Sequence, residues 1–517
     1  MISVLQEQVK AIGMDIPFRH SEKIKLNQHT TDLGAAAADK LAALVVLLPA
    51  APGKAAWDRV PHADVLKGRW QQQLRRDRDS DCLITDLPNA RGTRVYLQVV
   101  KPDTPAFASL GKLRALAAAL FKLDPAAAAV QLAGLDDDSA GRVVEHLCAA
   151  LLAAACPMPS YKHKPQPPPV LRRLDIHGLA AKVDLAPVQA EAMGNHLARW
   201  LSALPGNELT PGKYRAYIAK LARQQGWKMQ FLDRKALQQQ HAGAFLAVCQ
   251  ASPTPDAGIV HLRYRPQARG RKLALVGKGI CFDTGGVNVK PAKFMNGMNE
   301  DMQGSAVALG TLLALTRLQW PHPVDCWLAL AENHVGSRGY KPNDVVTACN
   351  GTTIEIKHTD AEGRMILADT LALASRAAPD VLIDYATLTG ACIYALSSRY
   401  SGVFSNRTGL HAALIAAGAE SGERVWPFPL DEDFDELLKS EIADILQCSL
   451  ENEADHILAT RFLHRFVDRH IHWIHVDLAA SNNKGGLAHI PTDTTGFGVR
   501  LTLNLLRRQA LMDGAWN

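Results

Sequence analysis

Two stretches of this 517-residue chain concentrate side chains able to bind cations and move protons. The first runs from Lys278 through Asp283, Gly285, Gly286 and Lys290 to Asp301. The second is His358-Thr359-Asp360-Ala361-Glu362-Gly363-Arg364. Together they offer four carboxylates, two lysines and one arginine, beside glycines and at predicted strand or helix ends. Charge gathered there costs stability unless it binds something. Four carboxylates in one place repel and raise each other's pKa. Two divalent metal ions cancel them in formal count, +4 against −4, and leave Lys290 and Arg364 free to act on substrate. Lys278 is the odd member, because an ammonium has no lone pair. A nearby dication can depress its pKa from ~10.4 until it is a neutral amine ligand.

A bland reading competes. Asp and Glu after strands often cap helices or pair with surface lysines, and for any one of these residues alone that reading prevails. It weakens when all seven stand in such contexts together. Asp360 and Glu362, two apart, do not face one another on a continuous helix. They converge if the backbone is extended at a helix start, where negative side chains are also favoured.

The elements that must position these groups can be read from periodicity. Apolar runs at Lys272–Val276, Cys326–Ala331, Val381–Tyr385 and Trp473–Val476 read as strands. Ser305–Thr316 and Ile366–Arg376 read as helices between them. The alternation predicts an α/β fold with a central mixed, mainly parallel sheet flanked by helices. Sites in such sheets form where strands end. Lys278 is predicted just after the strand Lys272–Val276, and His358–Arg364 just before a helix starting near Met365.

The chain is too long for one hydrophobic core, so two domains are expected. Residues 157–169, PMPSYKHKPQPPP, cannot form regular helix or central strand. The expected division is a smaller N-terminal α/β domain at 1–156, a proline-rich linker at 157–174 and a larger catalytic domain at 175–517. Alternation at Thr93–Leu97 suggests strands in the smaller domain. Hydrophobic content of 47% and charged content of 21% fit a globular protein, and a net charge of +6 does not argue for nucleic acid. Nine cysteines without CxxC pairs read as reduced thiols. Met1 to His20 shows no secretory leader pattern. The apolar runs at Leu41–Leu48 and Leu147–Cys156 are too short to span a bilayer. A cytoplasmic location without a membrane partner is the expectation.

The runs Gly277-Lys278-Gly279, Phe282-Asp283-Thr284-Gly285-Gly286, Lys290-Pro291, Asp301-Met302 and Thr359-Asp360-Ala361-Glu362-Gly363-Arg364 resemble the leucine aminopeptidase family, also called cytosol aminopeptidases. Asn207-Glu208-Leu209-Thr210-Pro211, Ala386-Thr387-Leu388-Thr389-Gly390 and Thr495-Gly496-Phe497-Gly498 extend the likeness. The resemblance implies a two-metal hydrolase that removes N-terminal, leucine-like residues from peptides. It implies that Asp283 and Glu362 bridge the metals, that Lys278 and Asp301 complete the tighter site, and that Asp360 completes the more exchangeable one. It further implies that Lys290 polarises the substrate carbonyl and that Arg364 holds a bicarbonate serving as general base. Such a centre lowers the pKa of water, stabilises the oxyanion and shuttles a proton to the leaving amine. Met298, Thr387, Gly390 and Ala479 would form the side-chain pocket. Manganese or zinc would suit the oxygen-rich set with one amine nitrogen, as would magnesium or cobalt. A homohexamer is implied as well.

The chain departs from the family in places. His358 stands where Asn is usual. A ring hydrogen bond orienting the loop is the favoured reading, an extra ligand or proton shuttle the sharper one. Cys281 replaces Thr and reads as a small buried residue. Asn299 and Gln303 differ from the usual basic residue and Gly. Asn482, where some members are apolar, would relax the hydrophobic preference. Asp283-Thr284-Gly285 matches an aspartic-protease triplet, but no second such Asp exists to complete that dyad. HExxH, GxSxG and a Walker loop are absent. DNA binding gains little from the near charge balance of the first domain. Its only modest basic cluster is Lys162, Lys164, Arg172 and Arg173, which reads as a solvated linker. Retention of all seven motif residues argues against an inactive scaffold.

Overall fold

The computed structural model describes residues 23–165, 167–267, 270–451 and 453–514. Residues 1–20, on which the leader expectation falls, lie outside the described residues. The chain divides into two compact units.

The smaller unit holds the described residues up to Ala192 and a returning segment, Gly486–Pro491. Its strands are β1 (Lys25–Gln28), β2 (Ala43–Pro49), β3 (Cys82–Asp86), β4 (Arg94–Val100), β5 (Ala127–Leu132) and β6 (Arg173–His177), in the order β1-β6-β5-β2-β4-β3. All pairs are parallel except β3 with β4. Strand β2 shows why its sequence is an unbroken apolar run. Ala43, Val45 and Leu47 enter one core, and Leu44, Val46 and Leu48 enter the other. A strand covered on both faces has no polar side to alternate with. The first core is closed by helices α1 (Ala106–Leu123) and α2 (Asp137–Ala155). The Asp136 carboxylate caps α2 by accepting from the Ser139 amide at 2.8 Å.

The expected boundary at 157–174 is misplaced. Residues 173–174 already belong to β6, which lies between β1 and β5, and the division falls at Ala192/Met193. Prolines exclude regular structure locally, but they do not decide which body the next strand joins.

The larger unit is built on strands β7 (Lys228–Asp233), β8 (Gly258–Tyr264), β9 (Leu273–Asp283), β10 (Val324–Asn333), β11 (Val381–Ala386), β12 (Ser401–Ser405), β13 (Val425–Pro427) and β14 (His472–Asp477). Their order is β13-β12-β14-β11-β9-β10-β8-β7. The central four, β14-β11-β9-β10, run parallel, and antiparallel pairs flank them. The α/β class and the mixed, parallel-centred sheet agree with expectation. Helices α3 (Gln303–Arg317) and α4 (Glu362–Arg376) cover opposite faces of β9. Gly277 abuts α3, where a Cβ would lie 2.4 Å from the Ser305 Cα. Ala274, Val276 and Ile280 share a core with Met365, Ile366 and Leu367 of α4. Lys278 follows the same alternation and points toward α4.

Lys278 therefore lies inside β9, not after it. Its glycine neighbours suggested a turn, yet Gly277 marks close approach of a helix backbone to a strand that continues. Likewise α4 begins at Glu362, so Glu362, Gly363 and Arg364 form its first turn.

A buried charge pair clamps β11 to β14. The His475 Nδ1 lies 2.6 Å from Asp384 Oδ1, and the Trp473 indole donates to Asp384 Oδ2 at 2.6 Å. Burial opposes charging of His475, but Asp384 overrides it and raises the imidazole pKa. A raised histidine adds stability fully below its unfolded value of ~6.5, and that stability is lost as pH rises through the native value. Asp384→Ala is expected to cost about 3–5 kcal/mol, since it strands a buried partner. The fall in Tm should be larger at pH 6 than at pH 9; an equal fall at both would show that the charge on His475 plays no part. Among the described residues no helix is long and apolar enough to cross a membrane. Of the nine cysteines, all but Cys82 are buried.

Candidate functional site

Four parallel strands end on one side of the larger sheet, and the site is built from residues at those ends and in the loops just beyond them. Strand β9 ends in Asp283, β10 in Asn333, β11 leads into Thr387, and β14 ends in Asp477. Asp301 sits in the turn before α3, and Glu362 opens α4.

Oxygens of Asp283, Asp301 and Glu362 all lie within 4.8 Å of one another, and all three residues are buried. Lys278 bridges two of them. Its Nζ is 2.8 Å from Asp301 Oδ1 and 3.1 Å from Glu362 Oε1, and it donates to the Thr387 carbonyl at 2.9 Å. A Cβ on residue 363 would lie 2.6 Å from Lys278 Cε, so Gly363 makes room for this side chain. Asp360 stands apart from the three-carboxylate group and joins through Lys290. The Lys290 Nζ is 2.6 Å from Asp360 Oδ1 and 2.9 Å from Asp283 Oδ2.

The two sequence stretches are stitched into one wall. The Thr359 hydroxyl donates to the Gly285 carbonyl at 2.6 Å, and the Asn288 side chain accepts from the Thr359 amide at 2.9 Å. Gly285 takes φ +86, a left-handed conformation open to glycine. Its amide donates to Asp283 Oδ1 at 2.8 Å. His358 Nδ1 accepts from the Asp360 amide at 3.2 Å, the loop-orienting contact expected of it. Burial, then the charges of Lys290 and Arg364, lower its pKa. Cys281 is fully buried, and burial pushes its thiol well up.

Residues that spacing did not reveal support this wall. Asn333 donates to Asp283 Oδ1 at 2.9 Å and to the Thr359 carbonyl at 3.0 Å. The Tyr340 hydroxyl donates to the same carbonyl at 2.7 Å. Gln447 Oε1 accepts from the amides of Lys357 and His358 at 3.1 Å each. Asp477 accepts from the Leu388 amide and, at 2.7 Å, from the Thr389 hydroxyl, fixing the turn after β11. None belongs to a charged cluster in sequence, so no local signal marked them.

The electrostatics favour added positive charge. Four carboxylates face two ammonium groups, a formal excess of two negative charges. Burial, reinforced by Asp283, pushes the Glu362 carboxyl up to about 8. Burial also raises Asp301, to about 6, against the pull of Lys278, and raises Asp360 to about 6 with Asp283 adding. For Lys278, burial works to lower the pKa, but Asp301, Glu362 and Asp283 reverse it and hold the ammonium charged. Lys290 is raised in the same way. Asp301 Oδ2 and Glu362 Oε2 are buried without a hydrogen-bond partner among the described residues. Orphaned carboxylate oxygens beside an excess of negative charge fit divalent cations.

The residues expected to form the side-chain pocket differ in exposure. The Thr387 hydroxyl donates to Asp301 Oδ1 at 2.7 Å. Met298 is half-buried, in the short helix before Asp301. Gly390 is exposed and Ala479 buried. Asn482 donates its amide to the Glu300 carboxylate.

The catalytic-domain profile of the cytosol aminopeptidase family matches residues 196–503. A probable cytosol aminopeptidase of Chlorobaculum tepidum is 42% identical over 314 residues, 60% of this chain and 62% of that protein. One from Syntrophotalea carbinolica is 42% identical over 352 residues, 66% of this chain and 70% of that protein. The matched segments thus span about six tenths of the length of some curated relatives, 62% for Chlorobaculum tepidum and 61% for Persephonella marina. A solved mutant of tomato leucine aminopeptidase superposes with a TM-score of 0.81 at 27% identity, covering 94% of this chain and 96% of that one.

Proposed function

The chain belongs to the cytosol aminopeptidase family, and from that premise we propose that it is a two-metal aminopeptidase releasing leucine-like N-terminal residues from peptides. The observation that carries this reading is the convergence of Asp283, Asp301 and Glu362 with two oxygens lacking partners. Lys278, Asp283, Asp301, Asp360 and Glu362 would hold the ions, manganese or zinc by their hard oxygens and single amine. Bound there, such ions lower the pKa of water and polarise the scissile carbonyl.

The chain's own groups do the rest. With ions counted, the four carboxylates are neutralised, so a preference for free over blocked N-termini would come from the uncharged α-amine, whose lone pair suits a metal held there and is lacking on an acylated nitrogen. Lys290 lies at the edge of that cluster, and its ammonium can donate to the oxygen on which charge develops. Thr387 orients Asp301 by hydrogen bond and Lys278 by its carbonyl. Met298, Gly390 and Ala479 offer apolar or small surfaces to the first side chain. Asn482 is engaged by Glu300, which leaves its amide less able to demand a polar partner from substrate. A hydrophobic bias results, worth about 1–3 kcal/mol per matched methylene.

Purified protein supplied with Mn²⁺ or Zn²⁺ should hydrolyse leucinamide and leave N-acetyl-leucinamide intact. No turnover of leucinamide under any metal condition would remove the proposal.

A further inference from the structure

Beyond Thr387, three segments are tied into a ring. The Thr387 hydroxyl donates to Asp301, and the short helix Met298–Glu300 runs directly into Asp301. Helix α5 (Gly390–Leu396) follows Thr387 on the other side, its start capped by the Thr389 hydroxyl. Residues 479–483 join the two. Asn482 donates to Glu300 Oε2, and Ser398, just past α5, donates to Asn483 Oδ1 at 2.7 Å. The ring carries the small and apolar residues assigned above to the first side chain, Met298, Gly390 and Ala479, together with one carboxylate, Glu300.

Glu300 differs from the other carboxylates of the centre. Asp283, Asp301, Asp360 and Glu362 each touch a lysine ammonium. Glu300 is half-buried, and among the described residues no cation pairs with it. The charged neighbour that it does feel, Asp493, is also negative. Asn482 occupies one of its oxygens, and Oε1 remains open to another donor. A carboxylate partly withdrawn from water, and left outside the charge balance of the ions, gains from a cation that arrives with substrate.

We propose that Glu300 makes this centre accept N-terminal lysine and arginine as well as leucine-like residues, its carboxylate receiving the cationic tip of the side chain. The inference rests on the aminopeptidase reading and adds a substrate class to it. Lysine and arginine carry long apolar stems below a charged head. The stem takes the surface that a leucine side chain takes, along Met298 and Ala479. The head then meets Glu300 Oε1, while Asn482 holds the other oxygen in place. The apolar bias persists because the stem is itself apolar. An acidic side chain meets Glu300 as a like charge and is disfavoured.

Leucinamide, norleucinamide and lysinamide separate the head from the stem, norleucine being lysine without its side-chain amine. In metal-loaded wild type, kcat/KM for lysinamide should lie within about ten-fold of that for norleucinamide. Glu300→Gln should lower the lysinamide-to-norleucinamide ratio by about ten-fold, mostly through KM, because the ion pair is made in ground state and transition state alike. Added salt should lower the ratio in wild type and leave it unchanged in the variant. A second readout needs no turnover. Calorimetric titration of the products, L-lysine and L-norleucine, into the metal-loaded protein should show the same loss of about ten-fold for lysine alone in Glu300→Gln. Should Glu300→Gln not fold, the wild-type ratio and its salt dependence decide. A wild type that disfavours lysinamide by more than about ten-fold overturns the inference. So does a wild-type ratio indifferent to salt, or one that Glu300→Gln leaves unchanged. Wild type inactive on all three amides would refute the aminopeptidase reading, and the product titration would still judge Glu300 by itself.

Discussion

Glu362→Ala should lower kcat/KM for leucinamide by at least about 10³-fold, roughly 4 kcal/mol of barrier, with Tm within a few degrees of wild type. The two halves of this expectation have separate causes. Activity falls because Glu362 is one of three carboxylates whose oxygens share a 4.8 Å neighbourhood, and one of its oxygens has no hydrogen-bond partner among the described residues. Stability barely moves because Lys278 keeps Asp301 at 2.8 Å and the Thr387 carbonyl at 2.9 Å. Loss of the 3.1 Å contact to Glu362 is offset by relief of the burial that pushes this carboxyl up to about 8. Glu362→Gln keeps the shape and removes the charge, so it should lose activity as well. Near-normal turnover in either variant would take the catalytic reading with it, and a collapse of Tm would mean that the residue serves the fold instead.

Chelation should abolish turnover, and Mn²⁺ or Zn²⁺ should restore it. Loading the stripped protein at pH 7 should also release at least one proton. In the protein without ions, Glu362 titrates near 8 and is mainly protonated at pH 7. A ligand must be deprotonated, so the ion displaces that proton, and affinity strengthens as pH rises toward 8. Lys278, held charged by its carboxylates, gives a second proton if it ligates as the amine. Calorimetry in two buffers of different ionisation heat counts these protons. Full activity in thorough chelation, or metal uptake without proton release, would contradict this account of the centre.

Much of the fold was legible because burial on both faces leaves a plain trace. The strands β10, β11 and β14 read as apolar runs, and their lengths came out within a few residues. Periodicity stops β9 at Val276 because glycine normally ends a strand, whereas Gly277 here admits the backbone of α3. The unit boundary was missed for a related reason. Composition reports where regular structure stops, but the partners of β6 come from strands distant in sequence.

At the site, residue types and spacing determined which groups could serve. Asp283, Asp301, Asp360, Glu362 and the three cations stand out because charge beside glycine at element ends is costly without a purpose. Tertiary structure alone decided their grouping. It drew three carboxylates together, set Asp360 against Lys290, and brought Asp455, 91 positions away in sequence, onto Arg364. The physical reason is that a motif specifies local chemistry, while sheet order and helix packing choose which distant loops meet. Asp455 lies in no motif, and only the folded chain shows that Arg364 pairs with it.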